Sequence, residues 1–147
     1  MRISNVTIIG GVRARADSAL EQALVWNSVT SGFGSTAIFS VATDGDGVWI
    51  AVGSSGTMTR STNNGQTWSS VTSGFGTTIQ SVATDGNGVW IAVGFSGTMT
   101  RSTDNGQTWS SVTSGFGTTA INDVATDGNG VWVAVGFDGT MTRSVPS

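Results

Sequence analysis

Val89-Trp90-Ile91-Ala92-Val93-Gly94-Phe95-Ser96-Gly97-Thr98-Met99-Thr100-Arg101-Ser102 recurs with few changes at 48–61 and again at 131–144. Trp49, Trp90 and Trp132 stand 41 and 42 residues apart, and a second series, Trp26, Trp68 and Trp109, stands 42 and 41 apart. The one-residue difference falls after Gly34, Gly76 and Gly117, where the second copy is shorter. A period of about forty suits helical solenoids or four-stranded blades, so the pattern inside the repeat must decide. That pattern is β. Val-Trp-Ile-Ala-Val is apolar on both sides of a pleat, which requires cover on both faces. Asp-Gly and Asn-Gly pairs supply the positive φ angles of tight hairpins.

One repeat therefore reads as four strands: Gln80–Thr84, Val89–Gly94, Gly97–Ser102 and Gln107–Thr113. Turns at Asp85-Gly86-Asn87-Gly88, Phe95-Ser96 and Thr103–Gly106 join them. Four antiparallel strands linked by hairpins make one blade of a β-propeller, where neighbouring blades bury both faces. The fold class is all-β, with three blades' worth per chain. The organisation is an N-terminal extension over 1–24 and three tandem repeats over 25–147, at 26–67, 68–108 and 109–147.

Composition agrees. The 147 residues include 37% hydrophobic residues, enough for a core, and 22 Gly with a single Pro. Only 10% are charged, so Ser, Thr, Asn and Gln make the polar surface of short strands and turns. A net charge of −3 with six Arg and no Lys offers no basic patch, which argues against nucleic acid. Without Cys there is neither a disulfide nor a thiolate metal site, and the compartment stays open. Val6–Val12 is a short apolar stretch broken by Gly, a poor signal peptide and too short to span a bilayer. Soluble delivery is the reading that follows.

Ser102-Thr103-Asp104-Asn105-Gly106-Gln107-Thr108-Trp109 resembles the Asp-box, or BNR repeat, S-x-D-x-G-x-T-W. Ser61–Trp68 departs only at Asn63, where the motif has Asp, and the third copy reads Ser144-Val145-Pro146-Ser147. The resemblance covers 26–144 at the level of the repeat. It implies a propeller in which the box joins the third and fourth strands of a blade. The motif is specific for fold and poor for function. Its physical content is an Asp or Asn side chain capping turn N–H groups while the Trp packs between blades.

Strand counting predicts an oligomer. Val25–Thr30 matches an outer fourth strand, and Gly139–Ser144 matches a third, so the two ends are complementary. Three blades do not close a ring, since about four to eight is the observed range. Two copies give six, within that range, and three copies give nine, outside it. An open arc would expose a blade face at each end, several hundred Å², worth on the order of 10 kcal/mol per junction at about 25 cal/mol per Å². The expected partner is a second copy, forming a six-bladed homodimer in which Val25–Thr30 of each chain pairs with the last strand of the other.

The extension has another character. Met1–Ile9 reads as a strand ended by Gly10-Gly11, and Asp17 or Ser18 caps a short helix through Val25. It is either a tail over one ring face or an attachment segment.

Candidate sites are few. The Asp-box resemblance raises sialidase chemistry, which implies a Tyr nucleophile, an acid/base carboxylate and an Arg cluster. This chain has no Tyr and no His, and its one Glu, Glu21, lies outside the repeats. It is not expected to be an enzyme or to need a cofactor. The turns at Asp44–Gly47, Asp85–Gly88 and Asp127–Gly130 suggest calcium superficially, but a full site takes six to eight oxygens, so they read as hairpins. If Ser54-Ser55, Phe95-Ser96 and Phe137-Asp138 are two-residue turns, Trp49 stands opposite Arg60, Trp90 opposite Arg101 and Trp132 opposite Arg143. Each pair is either blade packing with a cation–π contact or a pocket that stacks a sugar and donates to its hydroxyls. Phe33, Phe75 and Phe116, together with Phe95 and Phe137, either form an exposed ligand surface or, in the Ser-Gly-Phe-Gly loops, fold back between blades.

Two functions fit. One is a multivalent glycan or surface-receptor binder, lectin-like or a phage adhesin, where identical weak sites gain avidity. The other is a structural virion or assembly component anchored through 1–24. The Asp-box resemblance also extends to photosystem II assembly factors, which form complete rings from one chain.

Overall fold

The computed structural model describes residues 8–9, 12–13 and 23–146. β1 (Ile8–Ile9) and β2 (Val12–Arg13) pair antiparallel, with Ile9 opposite Val12. The rest of the expected 1–9 strand, and all of the expected helix before Ala23, lie outside the described residues; Ala23–Val25 has no regular structure.

Three antiparallel sheets follow in chain order. The first blade contains β3 (Ile38–Thr43), β4 (Trp49–Gly53), β5 (Met58–Ser61) and β6 (Ser69–Ser70). The second contains β7 (Ile79–Thr84), β8 (Trp90–Gly94), β9 (Met99–Ser102) and β10 (Ser110–Ser111). The third has β11 (Ile121–Thr126), β12 (Trp132–Gly136) and β13 (Met141–Ser144). Each strand pairs with the next, as hairpins dictate. The outer strands are two residues long, shorter than the stretch expected over Gln107–Thr113.

The Asp-rich turns cap themselves. Asp85 Oδ1 accepts from the N–H groups of Asn87 (2.8 Å) and Val89 (3.1 Å), and Asp44 and Asp127 repeat the pattern. The box is a similar device. Ser102 Oγ donates to Asp104 Oδ1 (2.7 Å) and accepts from Gly106 N–H (2.9 Å), while Asp104 Oδ1 also takes the Thr108 N–H (2.9 Å). The Trp109 indole N–H closes the turn on the Gly106 carbonyl at 3.1 Å.

The cores lie between blades. Val48, Ile50, Val52 and Met58 of the first blade meet Ile79, Val82, Trp90 and Ala92 of the second. Ile91 and Val93 of the second meet Ile121, Val124, Ala134 and Phe116 of the third. Every blade thus has a leading face and a trailing face of different composition.

The ends break the series. Ile38 is 46% exposed where its equivalents Ile79 and Ile121 are 0%, and Met141 is 65% exposed where Met58 is 1%. Val25–Thr30, expected as an outer strand, makes no ladder among the described residues, and β13 carries no outer strand. No helix among the described residues is long and apolar enough to cross a membrane.

Candidate functional site: the gap between the second and third blades

The expected Trp–Arg register is corrected by one residue. Trp49 stands opposite Ser61, Trp90 opposite Ser102 and Trp132 opposite Ser144, while Arg60, Arg101 and Arg143 stand opposite Ile50, Ile91 and Val133. The turns hold three residues, Ser54–Gly56, Phe95–Gly97 and Phe137–Gly139, because the middle residue and the glycine after it both take positive φ (57° at Ser96, 67° at Gly97). One extra residue moves every following side chain to the other side of the pleat. Trp and Arg of one blade therefore lie on opposite faces.

They meet instead across blades. Between the first and second blades, Arg60 Nε donates to the main-chain carbonyl of Asn105 (2.9 Å) and Trp90 Nε1 to its side-chain oxygen (2.9 Å). Asn105 Nδ2 in turn donates to Asp44 Oδ2 (3.2 Å). Three groups of two blades thus grip one turn residue. Trp90 is fully buried there, so it presents no stacking face. Burial opposes ionisation of Asp44, but the N–H groups of Asp46 and Val48 and the Asn105 amide outweigh it and hold its carboxyl below the ordinary range.

Between the second and third blades the place held at the first junction by the box turn Ser102–Trp109 falls beyond the described residues. Asp85, Arg101 and Trp132 line a cavity of about 630 Å³ with Ile91, Met99 and Val124 on its apolar side. The position equivalent to Asn105 is Ser147, preceded by Val145-Pro146 in place of Thr103-Asp104. Among the described residues nothing binds Arg101 and Trp132 as Asn105 binds Arg60 and Trp90. Arg143 also contributes to the lining, although its register position belongs to the blade's other face.

The Phe residues divide. Phe33 and Phe116 are buried and Phe75 is half-buried, each with its ring edge against a strand-end glycine, Gly53, Gly136 and Gly94 respectively. These loops fold back, and Ser73 and Ser114 tie them to the preceding blade through the carbonyls of Gly56 and Gly97 (2.7 Å each). Phe95 and Phe137 are exposed at the turn tips, apart from the cavity lining. Sequence reasoning missed Asp44 and Asn105, through which Arg60 and Trp90 are joined. Their signal was the Asp that opens each first turn and the Asn before each box glycine. Among the described residues no group of three or more His, Cys, Asp or Glu is placed to hold a metal ion.

No family model matches the chain, and no curated protein matches it. Among solved structures it is similar to YCF48 bound to D1 peptide, at 23% identity and a TM-score of 0.67, over 82% of this chain and 42% of that one. It is similar also to YCF48 from Cyanidioschyzon merolae, at 20% identity and a TM-score of 0.66, over 76% of this chain and 38% of that one. The chain spans less than half the length of either. At this identity the likeness is one of fold, and it places the three sheets among the blades of a β-propeller.

Proposed function

We propose that this chain is a non-catalytic binding module for glycans or a surface receptor, and that two copies close a six-bladed ring. The exposed aromatic tips Phe95 and Phe137, 42% and 57% exposed beside Ser96 and Asp138, carry the binding reading. A phenyl face beside a hydroxyl or a carboxylate suits a polyhydroxylated ligand, with one group offering apolar surface and the other hydrogen bonds. Two copies of these tips in one ring make binding multivalent, which raises avidity without any new contact.

Closure rests on the internal template. The exposed face of the first blade carries Ile38, Val41 and Trp49, the equivalents of Ile79, Val82 and Trp90. The exposed face of the third carries Val133, Met141 and Arg143, the equivalents of Ile50, Met58 and Arg60. A face of the first kind already meets a face of the second kind twice within the chain. The Trp49 indole N–H, buried and without a partner among the described residues, is the equivalent of the one that Asn105 satisfies. In the ring, Asn64 enters the grip of Arg143 and Asp127 of the second copy, and its side-chain carbonyl turns to Trp49.

A glycan array probed with the wild type and with Phe95→Ser and Phe137→Ser, the residue found at Ser54, tests the binding reading. Binding by the wild type that either variant weakens supports it. No binding to any glycan or receptor preparation overturns it and leaves a structural component, as of a virion or an assembly.

A further inference from the structure

We infer that the junction of the first and second blades holds a further site, one for a singly charged acidic sugar, and that Asn63 is the residue that opens it. The site is separate from the exposed Phe tips and does not depend on them. Arg60, Thr62, Thr67, Ser69, Ser70 and Gln107 line a polar cavity of about 320 Å³. Its walls come from β5, β6 and the two box turns, every one of them among the described residues, and no carboxylate lines it. Arg60 supplies the charge. Its Nε is committed to the main-chain carbonyl of Asn105 (2.9 Å), which fixes the guanidinium and leaves the two Nη groups as paired donors for an oxyanion.

The two boxes differ where this wall is made. In the second, the Asp104 carboxylate takes the Thr108 hydroxyl proton and adds a negative charge. In the first, Asn63 Oδ1 accepts from the Ser61 hydroxyl (2.9 Å) and the Thr67 N–H (2.9 Å), and Asn63 Nδ2 donates to Thr67 Oγ1 (2.8 Å). Thr67 Oγ1 is therefore an acceptor within the turn and keeps its own proton for the cavity. One residue thus removes an anion and frees a donor on the same wall. A carboxylate or a sulfate ester carries the single charge that one guanidinium balances, and the Ser hydroxyls and the Gln107 amide suit the hydroxyls of the ring that bears it. The volume is at the small end of ligand sites, about 300–1,000 Å³, which suits one sugar ring.

Calorimetric or NMR titration of the full chain tests this with glucuronate and a sulfated galactose against glucose and galactose. At least one acidic sugar binds about tenfold or more tighter than its parent, and the one that does so assigns the oxyanion. Asn63→Asp and Thr67→Val each remove about tenfold in affinity, as for one charge-assisted hydrogen bond. Asn63→Asp restores the residue that holds the second box, where Asp104 accepts from Ser102 and Thr108, so loss of fold does not mimic loss of binding. Acidic sugars that bind no tighter than their parents, or that Asn63→Asp holds as tightly as the wild type, overturn the inference. Binding that Phe95→Ser removes and Asn63→Asp keeps puts the ligand at the turn tips, which overturns this site and leaves the broader binding reading standing.

Discussion

Arg60 and Asn105, 45 residues apart in sequence, are joined at 2.9 Å by a guanidinium Nε that donates to a main-chain carbonyl across the first blade boundary. Asn105 also takes the buried Trp90 N–H and donates to Asp44. It thereby binds a strand and a turn of the first blade and a strand of the second.

Asn105→Ala is expected to destabilise the chain by about 2–4 kcal/mol, since it leaves the Trp90 donor unpaired and puts Ala at positive φ. Urea denaturation reads the change. Asn64→Ala at the equivalent position is expected to cost less in an isolated chain, and as much in the ring, where the second copy grips Asn64. Equal small effects at both positions would remove the template on which closure rests.

Ring closure predicts a particle of twice the 14.9 kDa chain mass by analytical ultracentrifugation. Ile38→Asp and Met141→Asp each place a carboxylate on one of the two open faces and are expected to give single chains of 14.9 kDa with unchanged circular dichroism. A wild type that stays at the single-chain mass at micromolar concentration refutes the dimer.

Asp104 and Asn63 fill the same box position with opposite hydrogen-bond sense. Thr108 Oγ1 donates to Asp104 Oδ2, whereas Asn63 Nδ2 donates to Thr67 Oγ1 at 2.8 Å. The Thr108 hydroxyl first, then the Thr108 N–H and the Ser102 hydroxyl, hold the Asp104 carboxyl well below the usual range. A group with a depressed folded-state pKa contributes stability above its unfolded value, about 3.9, and loses it as pH falls toward the folded value. The wild type is therefore expected to lose stability on acidification below about pH 4 more steeply than Asp104→Asn. Thermal melts between pH 2 and pH 7 check it: the midpoint of the wild type falls further over that range than that of Asp104→Asn.

Gly94→Ala is expected to cost about 3 kcal/mol or more, because the new Cβ lies 2.2 Å from the Thr78 carbonyl oxygen, a backbone atom that cannot turn aside. Gly76→Ala, with nothing within 4 Å of the added atom, is the control. Denaturant midpoints of the two separate close backbone approach from a general effect of losing glycine.

The repeat, the hairpin order and the box turns were legible because they depend on local chemistry. Asp85 caps its turn in the way the Asp-Gly-Asn-Gly stretch requires, and strands β7 to β9 fall within a few residues of expectation. The Trp–Arg partners were not legible, for two physical reasons. Ser96-Gly97 extends the turn by one residue at positive φ, a signal present in the sequence, and parity does the rest. The contact itself forms between neighbouring blades, where nothing in the spacing of one hairpin sets which side chains face each other.

The leading and trailing faces of each blade differ in composition, and this has a bearing on how such chains accumulate. A surface that recognises its opposite rather than itself adds one molecule after another in a fixed rotational sense. The angle between blades then decides the product: steps that return to the starting point give a discrete closed particle, and a small change in the loop from 73 to 78 that alters the step gives a growing filament of the same contacts.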